Sequence, residues 1–289
     1  MTRRSLVAVA VGLTVLAGVG VSLMSAQQPT PPPNDKPLTD KWAPTEWGAN
    51  DKVGAPNRTT PAMVLKAVRL VKQGKVATLG KLYHSSIPAF GPRSWTMSIP
   101  GTPTGGPFGK NMLVYHDEYL ATEIGQTGTQ FDGLGHIGVL VGAEGDLNAM
   151  RFYNGVTGAE MVSAYGLKKL GVEKVKPFFT RGILLDVAGY KGRMLDRGEE
   201  ISLADVRATM ARQGIADIRR GDVVLFHTGW GSLWMKDNAR FDSGEPGIGL
   251  EVARWLADRQ IACVGSDTWA TEVQPNPDPN VRAPSTRNC

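Results

Sequence analysis

The chain has 289 residues, 42% of them hydrophobic and 20% charged, with a formal net charge of +5. That length can bury one sizeable core, and the positive charge is too small and too scattered for a nucleic-acid surface. Two cysteines exclude a disulfide framework.

From the amino terminus, Arg3 and Arg4 precede an uncharged apolar run from Ser5 to Ala26. This is the layout of a secretory leader cleaved after Ala26, with a periplasmic or secreted location expected. The run is also long enough to span a bilayer, so an uncleaved anchor over residues 5–26 is the alternative. Residues 27–41 are rich in proline and polar side chains and read as an extended linker. The folded domain is expected over residues 42–289.

The segment "TPAMVLKAVRLVKQG" predicts a helix capped by Thr60, with Pro61 in the first turn and Val64, Leu65, Val68 and Val71 on one face. A second helix is expected in "SLADVRATMARQG", capped by Ser202, and a third between Gly249 and Gln260. The apolar runs "GILLDVA", "GDVVLFHTG" and "IACVGSD" read as buried strands, the last carrying Cys263. Strand and helix alternate through the second half, whereas the first half is rich in glycine and turns. The expectation is an α/β protein with a single mixed-sheet domain.

Between these halves lies "GQTGTQFDGLGHIG", Gly125 to Gly138. In an extended conformation Gln126, Gln130, Asp132 and His136 would point to one side, and the glycines would let the backbone bend around a small bound species. An Asp and a His sharing a pocket can hold a divalent metal and take a proton from water. The same residues are also ordinary turn formers.

This stretch resembles the signature of the cyclase family, the bacterial kynurenine formamidases, isatin hydrolases and related amide and lactone hydrolases. That signature reads His-x-Gly-Thr-His-x-Asp-x-x-x-His. Here Gly128, Thr129, Asp132 and His136 match, while Gln126 and Gln130 stand at the first two histidines. "FGPRSW", "VYHDEYL", "RGILLDVAGYKG", "GDVVLFHTGW" and the segment from "PGIGLEVARW" to "QPNPDP" extend the resemblance over roughly residues 42 to 280.

The resemblance implies a single mixed-sheet domain of the swivelling β/β/α type and a homo-oligomer acting on a small-molecule substrate. It implies metal ligation at Asp132, Gln126 and Gln130, with His136 as general base. Amide oxygens are harder, weaker donors than imidazole, which shifts the expected preference from zinc toward manganese. The implied reaction is hydrolysis of an N-formyl aryl amine, as in the conversion of N-formylkynurenine during tryptophan breakdown. A cyclic amide or lactone is the alternative substrate, and a silent binding protein of the same fold the alternative function. Phe90, Trp95, His227 and Trp230 are candidate substrate contacts, though the aromatic rings would serve equally in a core. His84, His116, Asp267 and Glu272 read as loop or rim residues.

Family members continue past the "PNPDP" region with Pro-Val-His-Gln and a later Glu, which complete the metal site. This chain ends "NVRAPSTRNC". Codons for Arg282 to Cys289 can be chosen so that a two-base shift reads Arg-Pro-Val-His-Gln-Glu-Leu. The expectation is therefore a frameshifted tail, an incomplete domain at the carboxyl end and weakened activity.

Overall fold

The computed structural model describes residues 43–279. The apolar leader run, the proline-rich linker and the tail expected to be frameshifted, Cys289 included, lie outside the described residues. Among the described residues no helix is long and apolar enough to cross a membrane.

Helix α1 spans Pro61–Val68, with the Thr60 side chain accepting from the Met63 N–H at 3.3 Å. Four short strands follow: β1 (Trp95–Ser98), β2 (Gly105–Phe108), β3 (Leu113–Tyr115) and β4 (Tyr119–Thr122). β1 pairs with β4 and β2 with β3, both antiparallel. Two more antiparallel pairs are β5 (Val139–Leu140) with β6 (Met150–Arg151), and β7 (Val162–Ser163) with β8 (Gly166–Leu167). Helix α2, Gly158–Met161, lies between them and carries a capping box from Thr157 and Glu160.

The second half holds the core. Strands β9 (Gly182–Asp186), β11 (Val223–His227) and β13 (Cys263–Ser266) form a parallel sheet in the order β13-β11-β9. The register sets His227 beside Asp186 and Phe226 beside Ser266. Between β9 and β11 run α3 (Val187–Lys191), β10 (Glu200–Ile201) and α4 (Leu203–Gln213). Between β11 and β13 run α5 (Asn238–Asp242), β12 (Gly247–Ile248) and α6 (Leu250–Asp258), with β12 pairing parallel to β10.

The three strands and the last two long helices fall where the residue patterns put them. Ser202 caps α4 with Asp205 in a capping box, and Gly214 ends it in the left-handed conformation. One face of the parallel sheet is fully covered. Leu185, Val224 and Phe226 pack there against Val206 of α4 and Val252 and Leu256 of α6. Burial of such side chains contributes about 1.5–3 kcal/mol each.

Two expectations are corrected. The first helix ends at Val68 rather than near Gly74, and Leu65, Val68 and Val71 are exposed instead of forming an inward face. Ala67 is the buried residue of that helix, because its neighbours cover only that side. Strand β9 is also buried on one face only: Leu184 alternates outward and is 55% exposed.

Candidate functional site

Gly125–Gly138 is a succession of turns, so simple strand alternation does not apply. Gln126 adopts a left-handed backbone (φ +62°) and donates its N–H to the Gln130 side-chain oxygen. Its carbonyl accepts from the Phe90 N–H at 3.2 Å. The next turn returns the chain, with the His136 N–H donating to the Gly133 carbonyl at 2.9 Å. That turn brings His136 Nε2 to 3.7 Å from Asp132 Oδ2, a charge contact rather than a hydrogen bond.

The glycines of the motif have a packing reason. A Cβ at Gly128 would sit 2.5 Å from Tyr83 Cζ, and one at Gly135 would sit 2.7 Å from Leu167 Cδ1. Both neighbours are thereby allowed against the backbone. Thr129 is clamped from the same side: Lys81 N–H donates to its Oγ1 at 2.8 Å, and the Tyr83 hydroxyl donates to its carbonyl at 2.7 Å.

The result is an open cleft of about 650 Å³ with Gln130, Asp132 and His136 in its lining. Tyr83, Ile124, Thr129, Phe131, Leu167, Leu170 and Val172 form the rest of its side-chain wall. Thr129 and Phe131 lie within the motif, whereas no motif in the sequence pointed to Tyr83, Ile124, Leu167, Leu170 or Val172. Gln126 is not part of the lining, although its side-chain oxygen is buried without a hydrogen-bond partner.

The aromatic candidates divide. Phe90 stacks on Trp269 with ring centroids 4.0 Å apart, and Trp95 packs behind the cleft residue Tyr83 at 6.2 Å. Trp230 is fully buried, with Leu233 and Phe241 around it and its indole N–H donating to the Phe241 carbonyl at 3.2 Å. It is a core residue in this fold, and a substrate-contact role is corrected on that ground.

His227 ends β11 outside the cleft lining. Its Nδ1 lies 2.7 Å from Asp186 Oδ1, and its Nε2 faces Asp267 Oδ2 at 3.9 Å. Hydrogen bonds from His227 and from the Gly189 N–H hold the Asp186 carboxyl below the usual carboxylate range. Asp267 accepts from the Thr228 N–H and hydroxyl at 2.8 and 2.7 Å, and from the Gly231 N–H at 3.2 Å. Both carboxylates stand at carboxyl ends of parallel strands, a signal readable in the endings "LLD" and "GSD" that sequence reasoning did not use. Glu245 is fully buried and accepts from the Trp269 and Ala270 N–H groups at 2.8 and 2.9 Å.

Among the described residues, no group of three His, Cys, Asp or Glu is arranged to hold a metal ion. A zinc centre built on imidazole or thiolate therefore does not fit this donor set. An oxygen-preferring ion fits it better, since Asp132 and Gln130 line the cleft and the orphaned Gln126 oxygen lies in the same loop.

A search of curated proteins returns no match. A crystal structure of a novel cyclase matches with a TM-score of 0.67 and 33% identity, covering 78% of this chain and 77% of that one. Isatin hydrolase A from Ralstonia solanacearum shares the fold, with a TM-score of 0.50, 18% identity and coverage of 80% and 83%. The Cyclase family model matches residues 43–273, from the start of the described structure to beyond the last strand of the parallel sheet. With the Asp132–His136 pair in its cleft, this mixed α/β chain belongs to the Cyclase family.

Proposed function

We propose that this protein is a hydrolase that adds water to an amide carbonyl, with N-formyl aryl amines as its first substrate class. The observation that carries the reading is the meeting of Asp132 and His136 in one cleft whose other walls are largely apolar. His136 Nε2 takes a proton from a water molecule, and the resulting hydroxide attacks the formyl carbon. The Asp132 carboxylate faces that same nitrogen at 3.7 Å and stabilises the imidazolium once it has formed. The imidazolium then gives its proton to the departing nitrogen, and the products are the free amine and formic acid, which ionises to formate by releasing its proton to solvent.

Asp132 and Gln130, with Gln126 behind them, are the residues that would hold a manganese ion. When bound, that ion would supply Lewis-acid polarisation of the carbonyl. A cyclic amide or lactone is the second reading, favoured by the open mouth and apolar walls, which accept a compact ring as readily as a linear formamide.

The test is His136→Ala assayed on a formanilide and on a small panel of cyclic amides and lactones. A loss of at least about 100-fold in kcat/KM is expected, in the range of general-base contributions. Undiminished turnover in that variant would remove the proposal.

A further inference from the structure

The loop that follows β13 is held by a side chain rather than by a strand. Residues 267–271 form a run of bends, and the Trp269 and Ala270 N–H groups are taken by the two Glu245 oxygens at 2.8 and 2.9 Å. Glu245 is itself fixed. It is fully buried, and its backbone exchanges two hydrogen bonds with Gln274, at 2.8 and 2.9 Å. The Trp269 ring packs against the Trp230 cluster and stacks on Phe90 with 18° between the ring planes.

From Phe90 the line of contacts continues into the motif loop. Arg93 donates to the Phe90 carbonyl at 2.8 Å and holds its guanidinium 5.8 Å from the ring centroid. The Phe90 N–H donates to the Gln126 carbonyl at 3.2 Å, and the Gln126 N–H donates to the Gln130 side-chain oxygen. Gln126 sits at φ +62°, a backbone region that a non-glycine residue keeps only when its surroundings fix it. Gln130 then lines the cleft with Asp132 and His136. A second tie leaves the same loop. Asp267 accepts from the Gly231 N–H at 3.2 Å, the Gly231 carbonyl accepts from the Lys81 ammonium at 2.7 Å, and the Lys81 N–H reaches Thr129 Oγ1 at 2.8 Å. Residues 267–270 therefore hold the motif loop at two points.

We propose that Glu245 is a positioning residue for the cleft, acting through Trp269 and Phe90 on the turn from Gln126 to Gln130. Its effect on turnover rests on the hydrolase reading of the same cleft; its effect on the loop does not. The line runs through rings, backbone groups and one neutral amide, so it is indifferent to the charges inside the cleft and to an ion held there. When Glu245 releases the two N–H groups, the Trp269 backbone is no longer fixed and the stack on Phe90 loosens. The Gln126 turn is then free to relax from its left-handed conformation. Substrate still enters between the apolar walls, but water, imidazole and carbonyl meet less often in reactive geometry. The loss therefore falls on kcat rather than on KM.

The test is amide hydrogen exchange on the full chain, comparing the parent with Glu245→Gln, Phe90→Leu and the double variant. Glu245→Gln loses one of the two acceptors, and Phe90→Leu removes the ring while keeping the N–H that reaches Gln126. In each single variant residues 125–138 are expected to exchange at least about fivefold faster, the equivalent of one weakened hydrogen bond, with α4 not accelerated. The double variant is expected to exchange no faster than the quicker single one, because both changes cut the same line. On a formanilide, each single variant is expected to lower kcat several-fold with KM little changed. Where Glu245→Gln fails to fold, Trp269→Leu takes its place in the same comparison. Unaltered exchange over residues 125–138, equal acceleration of α4, or independent effects that multiply in the double variant would each overturn the inference. So would a rise in KM for Phe90→Leu with unaltered exchange, which would make Phe90 a substrate contact. Absence of turnover in the parent removes the hydrolase reading and leaves the exchange comparison to decide the positioning role alone.

Discussion

At the scale of single residues, the carboxyl of Glu245 has the most unusual environment. Burial pushes it up to about 9, the charges of Glu272 and Asp267 add to the rise, and the N–H groups of Ala270 and Trp269 oppose it. A carboxyl whose folded pKa lies above its unfolded value of 4.5 is neutral in the fold at pH 7. Its contribution to stability is complete below about pH 4.5 and is lost as pH rises toward 9. The slope it adds can reach ~1.4 kcal/mol per pH unit, the value of one proton. Glu245→Gln stays neutral at every pH but keeps one acceptor for the two N–H groups, at a cost of about 1 kcal/mol. The variant is therefore expected to be less stable than the parent near pH 4.5 in urea unfolding and to lose less stability than the parent between pH 4.5 and pH 8. Parallel stability–pH curves for the two proteins would refute this assignment. Nothing in the sequence marked Glu245, because its role comes from backbone N–H groups that only the folded loop presents.

At the scale of elements, residues 81–86 act as a strap between the motif loop and the region after β11. Lys81 binds Thr129 through its N–H and the Gly231 carbonyl through its ammonium at 2.7 Å. The Leu82 carbonyl accepts from the Trp234 indole N–H at 3.3 Å, and the Ser86 carbonyl accepts from the Asn238 side-chain amide at 2.7 Å. Lys81→Met keeps the aliphatic stem and removes the ammonium, at a cost of about 1 kcal/mol or a fall of ~2–4 °C in Tm. If the strap positions Thr129 and the cleft behind it, kcat should also fall several-fold with KM little changed, and Lys81→Arg should recover part of it. Loss of stability with unaltered kcat would make the strap purely structural. Such ties join residues 48 and 150 positions apart. Periodicity cannot reveal them, whereas α4 with its Ser202–Asp205 capping box and the runs of β9, β11 and β13 are written locally. The same contrast holds in the site: Asp132 and His136 were legible because four residues separate them, and the Leu167–Val172 wall was not. The expected inward face of α1 failed for the opposite reason: an apolar pattern states what a helix could bury, and no described element packs over Leu65 and Val68.

At the scale of the whole molecule, the apolar surface is larger than one copy needs. A parallel sheet is normally covered on both faces, yet Leu184 stands exposed on the side of β9 away from α4 and α6. The first half adds Val76, Leu79, Leu82, Met112, Tyr119 and Ile124, with Val76 96% and Ile124 87% exposed. Exposed apolar side chains in this number are what an association surface requires. We propose that the protein assembles as a homo-oligomer through it. Light scattering at micromolar concentration should then give a mass that is a whole multiple of the 31.0 kDa chain, or of the chain less any cleaved leader. Leu79 and Leu82 are both about three-quarters exposed, so Leu79→Glu with Leu82→Glu places two like charges in any interface that uses them. That double variant should dissociate the assembly while keeping the circular dichroism of the fold, because neither side chain is buried in the single chain. A parent protein that runs as a monomer, or a double variant that stays assembled, would separate these exposed side chains from any role in association. Since Ile124 belongs both to this surface and to the cleft lining, assembly through it would also wall the cleft, and dissociation is expected to raise KM for apolar amides.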